Sequence, residues 1–327
     1  MALIQPAINP WKKWEVSTTE QIYRHMHIQD SILDKVPNVE LAVWSETAIT
    51  YLNLELNAYH NLSPLQQWVN TSKTAILSGF ADIVFYKKGE IPSVSSKMMF
   101  NDSNSIYDSY NSAIMINPRP DDKDKVQIYH KMKLTPFGER IPYLQYIAFT
   151  KKWLEWGVGI SSWDIGKEQK CLILKNDRRQ VKIGQVICIE SLYPGFVANH
   201  IRQGAQMLAV ITNDAWYDHT PGPEQHYLIS SMRAVETRRY VARCANTGVS
   251  GFIEPDGSTL KRAPEYTGTA IYADVPLLSG KSLYVIFGDW LPYLCDIVVI
   301  FGIVFAIIAG KKIINNYPEN KKIWIQN

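Results

Sequence analysis

The chain has 327 residues, 46% of them hydrophobic and 12% aromatic, which is enough apolar material for a substantial core and sets disorder aside. Its formal charge is only +3 and its Lys and Arg are scattered, so electrostatics makes no case for a nucleic-acid partner. The four cysteines form no C-x-x-C pair, the seven histidines form no H-E-x-x-H, and the phosphate-loop and dinucleotide glycine patterns are absent, so metal, nucleotide and hydride chemistry are not signalled.

Taken in order, residues 2–8 and 39–44 read as strands on either side of a helix at 18–33, a β-α-β opening that implies parallel pairing. Met1-Ala-Leu-Ile leads into the first strand without the charged n-region of a secretory signal. Ser63 and Pro64 read as the cap and first position of a short helix, and 74–85 as a further strand. The polar, Ser/Asn/Asp-rich stretch 87–111 reads as a surface loop. Strands at 110–116 and 126–130 are separated by a turn at 117–124, and strands at 172–174 and 181–187 by a turn at 176–179. A strictly α/β order follows: helix 196–204, strand 207–212, helix 224–241, and strands near 249–253 and 270–275. There is no internal repeat. The pattern predicts one α/β domain over 1–277 and a connector at 278–289.

The C-terminal region differs. Residues 297–309 are uninterrupted apolar, Trp290 and Tyr293 stand upstream, and Lys311-Lys312 follow immediately, the pattern of a membrane helix at 290–310 with a cytoplasmic tail at 311–327. The paired lysines favour the cytoplasmic side, which puts the preceding domain outside it. The alternative is a buried core helix, for which Asp296 at the upstream end speaks.

Within the domain, the apolar run 181–187 delivers Cys188 to the point where a strand must end, before Ser191 to Pro194 break the pattern and a helix begins. A strand-to-helix turn exposes a side chain above a sheet edge and leaves backbone N–H groups free to stabilise an oxyanion. A lone cysteine reads equally as a small buried hydrophobe, so partners have to decide. Three charged residues stand at other strand ends: Glu46 after 41–44, Lys131 after 126–130, and Glu139 eight residues on. Gathered at one edge, a carboxylate takes the thiol proton and an ammonium holds the charge developing on a carbonyl oxygen.

These residues lie in motifs. Trp44-Ser-Glu-Thr-Ala, Tyr129-His-Lys-Met-Lys-Leu-Thr-Pro-Phe-Gly-Glu139 and Ile187-Cys-Ile-Glu-Ser191 resemble the Glu, Lys and Cys motifs of the nitrilase (carbon–nitrogen hydrolase) superfamily, in its order. More narrowly, Thr212-Asn-Asp-Ala-Trp-Tyr217, Gly222-Pro-Glu-Gln-His226, Arg233-Ala-Val-Glu-Thr-Arg-Arg239 and Asn246-Thr-Gly-Val-Ser250 resemble the bacterial apolipoprotein N-acyltransferases, as does a nitrilase-like domain followed by a final membrane helix. The resemblance implies an α-β-β-α sandwich. It implies Glu46 as general base, Cys188 as acylated nucleophile, Lys131 and the Ile189 N–H as oxyanion stabilisers, and Glu139 as the carboxylate that orients the lysine. Glu190 matches a position that these acyltransferases require, Trp14 an aromatic near their lipid site, and Asn213, Asp214, Trp216 and Tyr217 the pocket and its entrance. The implied reaction moves a fatty acyl chain from a phospholipid onto Cys188 and then onto the α-amino group of a diacylglyceryl-cysteine lipoprotein, at the bacterial inner membrane on its periplasmic side. No metal or diffusible cofactor is implied.

Three features depart from that family. Ser45 stands where proline is common, Ile189 replaces the usual tyrosine, and the membrane helices that ordinarily precede the domain have no counterpart ahead of Met1 in this sequence. Two other readings keep the same residues: a stand-alone thiol amidohydrolase with water as acceptor, and a membrane-tethered binding protein that retains the fold without catalysis.

Overall fold

The computed structural model describes residues 1–52, 58–87, 89–93, 95–99, 102–118, 126–140 and 163–315. The chain divides into two compact units, Met1–Val285 and Ile286–Asn327.

The first unit holds two sheets. Strands β1 (Ala2–Gln5), β2 (Leu41–Trp44), β3 (Ile49–Leu52), β4 (Ala75–Phe85), β5 (Lys97–Met99), β6 (Asp102–Ile116) and β7 (Gln127–His130) form one sheet with the late strand β14 (Thr269–Tyr272). Its order is β14-β1-β2-β4-β6-β5, with β3 also on β4 and β7 also on β6. Strands β8 (Leu172–Lys175), β9 (Gln180–Ile187), β10 (Met207–Thr212), β11 (Val241–Ala245), β12 (Gly251–Ile253) and β13 (Thr259–Arg262) form the second, in sequential order. As the β-α-β opening predicts, β1 and β2 are parallel, with Leu3 opposite Val43; β2 and β4 are parallel too, and so are β9, β10 and β11.

Residues on alternate sides of each strand build separate layers of core. Leu3, Leu41, Val43, Leu77 and Met115 of the first sheet face Ile183, Ile187, Ile211 and Phe252 of the second. The residues between them point the other way: Ile4, Ala42, Trp44 and Ile76 pack against helices α1 (Thr18–Leu33) and α2 (Ala58–Ser72) through Ile22, Ile32, Leu65 and Val69. On the far side Val186, Leu208 and Val210 meet α3 (Pro194–Arg202) and α4 (Gly222–Thr237) through Val197, Ile201, Tyr227 and Ala234. Both faces of each central strand are covered, which is why these strands read as continuous apolar runs, and the result is the expected α-β-β-α sandwich. Helix α1 matches its predicted span, with the Ser17 hydroxyl accepting from the Glu20 N–H at its start. The Trp44 indole N–H, fully buried, donates to Gln29 of α1 at 2.6 Å.

Several boundaries differ from the sequence expectation. Pro64 lies inside α2, so Ser63 is not its cap; proline removes only its own N–H from the ladder, and the helix continues past it. The stretch 87–111 is not simply a loop, since β5 and most of β6 lie in it. Its polar side chains satisfy one another: Asp108 of β6 accepts from the hydroxyls of Tyr86, Ser93 and Ser96. Helix α4 ends at Thr237, where Arg238 adopts a left-handed φ of 52°, and strand β11 begins at Val241, where the helix was expected to end. Strands β3 and β13 are additional to the predicted set. Most of the turn expected at 117–124 lies outside the described residues.

The second unit contains α6 (Trp290–Asn315), which follows the short helix α5 (Leu283–Phe287). Within α6, Trp290–Lys312 is 23 residues of mean hydropathy 2.5 with none of its most apolar window buried, rather than the side chains of a core helix. At 1.5 Å per residue it reaches ~34 Å, enough to cross a hydrocarbon layer of about 30 Å.

Candidate active site

The chemistry-bearing residues follow the carboxyl ends of four strands. β2 runs into Ser45-Glu46-Thr47, β7 into Lys131, β9 into Cys188, and β10 into Asn213-Asp214. The turn after β2 fits only because β4 offers a glycine beside it. A Cβ on Gly79 would stand 2.4 Å from the Thr47 nitrogen and 2.6 Å from the Glu46 Cα, and the Gly79 N–H instead donates to the Ser45 carbonyl at 3.2 Å. Cys188 opens a 3-10 turn, Cys188–Leu192, with φ at 49°. A left-handed non-glycine residue costs on the order of 1–3 kcal/mol, so the surroundings must hold it there.

Glu46, Lys131 and Glu139 meet in one cluster. The Lys131 ammonium, 1% exposed, lies 3.0 Å from Glu46 and 2.9 Å from Glu139. Burial alone would lower the lysine's affinity for its proton, but Glu46 and Glu139 outweigh it and hold the ammonium well above its ordinary range. The Glu139 carboxyl is depressed: burial opposes the shift, while Lys131, the Thr135 N–H at 2.7 Å and Asn111 bring it down. The sequence reading gave Asn111 no role, yet its amide donates to Glu46 at 2.7 Å and to Glu139 at 2.8 Å. Pairing of β6 with the end of β7, where the Lys131 N–H donates to the Asn111 carbonyl at 2.8 Å, is what places it there.

Cys188 is partly exposed, and its thiol is raised by burial and by the Glu46 charge, with Lys131 acting in the opposite sense. The charges of Glu46 and Lys131 are thus among those felt at the sulfur. At rest the group is a thiol that needs a base to become a nucleophile. Ile189, next in the 3-10 turn, is half-buried. Glu190 points inward and is fully buried; it accepts from the Tyr129 hydroxyl at 2.6 Å, the Met132 N–H at 2.7 Å and the Ile187 N–H at 2.8 Å. It therefore ties the nucleophile turn to the residues on either side of Lys131. Burial lifts its pKa to about 7.

Asp214 has no exposed surface. One carboxylate oxygen accepts from Arg243 at 2.7 Å, and the other meets His226 Nδ1 at 2.8 Å and the Thr212 hydroxyl at 2.9 Å. Burial opposes ionisation, but Arg243 and His226 hold this carboxyl below its ordinary range. His226 Nε2 lies 2.9 Å from the Ser191 hydroxyl and 3.2 Å from the Cys188 carbonyl, and Ser191 donates to that carbonyl at 2.8 Å. Arg243, His226 and Ser191 were not singled out from the sequence. A charged Arg243 within the apolar run 241–245 was the legible sign that a buried carboxylate must face it. Asn213 is also buried and accepts from Asn246 at 3.1 Å.

Aromatic side chains of the remaining expected residues are exposed. Trp216 packs edge-on against Trp11 at 5.3 Å, Trp14 lies 5.4 Å from Tyr51 and 6.5 Å from Trp163, and Tyr217 lies 6.5 Å from His226. Among the described residues no three His, Cys, Asp or Glu side chains are grouped to hold a metal ion.

Comparison with known proteins agrees with this fold. Over 314 residues the chain is 34% identical to an apolipoprotein N-acyltransferase of Chlorobaculum tepidum, covering 95% of this chain and 57% of that protein. It is 28% identical to apolipoprotein N-acyltransferase 1 of Treponema denticola, covering 94% of this chain and 57% of the relative. The chain thus spans a little over half the length of these curated relatives. In fold it is similar to Nit3 of Saccharomyces cerevisiae, of the nitrilase superfamily, with a TM-score of 0.58 at 15% identity over 84% of this chain and 88% of that one. A carbon–nitrogen hydrolase from Helicobacter pylori G27 gives 0.54 at 14% identity, over 83% and 87%. The carbon–nitrogen hydrolase family model matches residues 1–283, and the chain belongs to that family.

Proposed function

We propose that this chain carries the catalytic domain of an N-acyltransferase, one that moves a fatty acyl group from a phospholipid, through a thioester on Cys188, to the N-terminal amine of a diacylglyceryl-cysteine lipoprotein. The observation that carries the reading is the buried Glu46–Lys131–Glu139 cluster, together with a Cys188 held at positive φ, in a chain 34% identical to an apolipoprotein N-acyltransferase over 95% of its length. The relatives suggest the substrates, and the site supports the chemistry.

In this reading Glu46 takes the Cys188 proton as the sulfur attacks the ester carbonyl of the donor. Lys131 and the Ile189 N–H hold the oxyanion, an arrangement in which one donor is worth about 3–4 kcal/mol. The intermediate collapses, the lysophospholipid alkoxide leaves with the proton from Glu46, and a thioester remains on Cys188. The acceptor amine then attacks that thioester and gives its proton to Glu46, and the thiolate departs and recovers the proton. Glu139 and Asn111 keep Lys131 and Glu46 in place, and Glu190 holds the nucleophile turn. The exposed rings of Trp14, Trp216 and Tyr217 supply an amphipathic entrance suited to a lipid chain and to keeping water from the thioester.

The helix Trp290–Lys312 supports a membrane anchor, and Lys311-Lys312 favour the cytoplasmic face for its end, with the catalytic domain on the periplasmic side. The test is transfer itself. Reconstituted with acyl-labelled phospholipid and a diacylglyceryl-cysteine peptide, the full chain yields the N-acylated peptide, and Cys188→Ala does not. Release of free fatty acid with the peptide unchanged assigns the site to hydrolysis instead.

A further inference from the structure

Lys13 lies between β1 and α1, in the segment that carries Trp11 and Trp14, and is 1% exposed. Its Nζ donates to the Glu46 carbonyl at 3.0 Å and to the Thr47 hydroxyl at 2.8 Å. Its own carbonyl accepts from the buried Gln21 side chain of α1. Among the described residues its hydrogen bonds go to neutral acceptors and to no carboxylate oxygen, so its desolvation is only partly offset, and a methionine of similar length would fill the slot at lower cost. The residue it grips needs a grip: Thr47 has φ at 48°, in the left-handed region that favours glycine.

We infer that Lys13 is a positioning residue for Glu46, a single side chain that fixes both the 46–47 turn and the aromatic segment 11–14, so that the base and the rim of the site keep one relative placement. The inference rests on Glu46 acting as the base for Cys188. The aromatic segment extends the tie outward, since Trp11 reaches Trp216 and Trp14 reaches Tyr51 and Trp163.

The charge of Lys13 supplies a readout that packing alone would not move. Burial lowers its pKa to about 7, against an upward pull from Glu46, so its charge changes near neutrality. The charged and titratable groups acting on it are Glu46, from the turn after β2, and His25 of α1, which burial first and then Lys13 hold down at about 4. Both forms of the amine donate hydrogen bonds, so the grip persists through the titration. As pH rises through about 7 the positive charge beside the 46–47 turn is lost, and the field at the site changes with it.

The experiment measures the rate of Cys188 alkylation by iodoacetamide against pH, located by mass mapping, in the full chain. Wild type, Lys13→Met and Thr47→Val are compared, with thermal unfolding run on each. The wild-type profile carries a step near pH 7 that Lys13→Met lacks. At neutral pH Lys13→Met reacts about tenfold more slowly while it still unfolds cooperatively, the loss expected of a displaced base. Thr47→Val, which removes one of the two acceptors and leaves the lysine, slows the reaction less and keeps the step. A folded Lys13→Met with the wild-type rate and step overturns the inference. If Lys13→Met does not fold, a wild-type rate in Thr47→Val overturns it. Wild-type Cys188 reacting no faster than Cys171 removes the base role of Glu46, and the inference with it, which sets that failure apart from the others.

Discussion

The Asn111 amide and the Lys131 ammonium donate to the same two carboxylates, Glu46 and Glu139, so a neutral donor doubles each ionic contact. Both hydrogens of the amide are used, at 2.7 and 2.8 Å, while its oxygen is buried with no partner among the described residues. Two acids that share one ammonium would otherwise repel, and Asn111 fixes their separation without adding charge.

Asn111→Leu keeps the volume and removes both donors. It is expected to cost about 1–3 kcal/mol of stability, because two buried acceptors each lose a partner. Acylation of Cys188 should slow by about tenfold or more, ~1.4 kcal/mol of barrier. Single-turnover acylation followed by mass, beside a denaturation curve, checks both, and a wild-type rate would confine Asn111 to a structural role.

Lys131→Arg should be nearly as inactive as Lys131→Ala. A planar guanidinium does not replace a compact ammonium between two carboxylates and a developing oxyanion. Both variants should also be destabilised, by about 3–5 kcal/mol for the alanine, which leaves two buried carboxylates without their cation. Rates near wild type in the arginine variant would mean that Lys131 contributes only long-range potential.

Glu190 sets a pH dependence of stability. Its folded pKa, about 7, lies above the ordinary 4.5, so between those values the native state holds a proton that the unfolded chain releases. Its contribution is therefore full below about pH 4.5 and is lost as pH rises to about 7. The depressed Glu139 and Asp214 run the other way, adding stability that is lost in acid. Glu190→Gln imitates the protonated acid, and its melting temperature should fall less than that of wild type across this window. Parallel curves for the two proteins would contradict the assignment.

Arg243 and Asp214 form a fully buried pair at 2.7 Å, and Arg243→Met strands the carboxylate. The expected cost is about 3–5 kcal/mol. Asp214→Asn in the same chain should recover part of it, so the double variant loses less than the two singles summed. Urea denaturation of the four proteins gives the coupling, and simple additivity would show that the pair does not act as a unit.

Much of the fold was legible because covered strands and amphipathic helices leave opposite signatures. Leu41-Ala-Val-Trp44 is apolar on both faces, Val181 to Ile187 alternates and then becomes continuously buried from Ile183, and α1 carries its cap at Ser17. What was hidden is polarity used internally. The first part of β6 looked like a loop because Asp108 and its serine partners satisfy one another, and β11 was not read as a strand, because Arg243 interrupts an apolar run while pairing with a residue 29 positions earlier. The site divides in the same way. Glu46, Lys131 and Cys188 stand just beyond strand ends that the hydrophobic pattern locates, and the structure brings Glu46, Lys131 and Glu139 into contact. Lys13, Asn111 and His226 work through contacts between distant segments, and no spacing in the chain announces these.

The central claim is that Cys188 carries the acyl group between two substrates, which requires the thioester to outlast departure of the first product. The direct measurement is intact-protein mass after incubation with phospholipid and no acceptor, with hydroxylamine to cleave a thioester and Cys188→Ala as the blank. The account predicts a fatty-acylated protein, modified at Cys188, that persists for minutes and returns to its unmodified mass when a diacylglyceryl-cysteine peptide is added. Steady release of free fatty acid with no acylated protein at any time, or acylation that survives in Cys188→Ala, would contradict it.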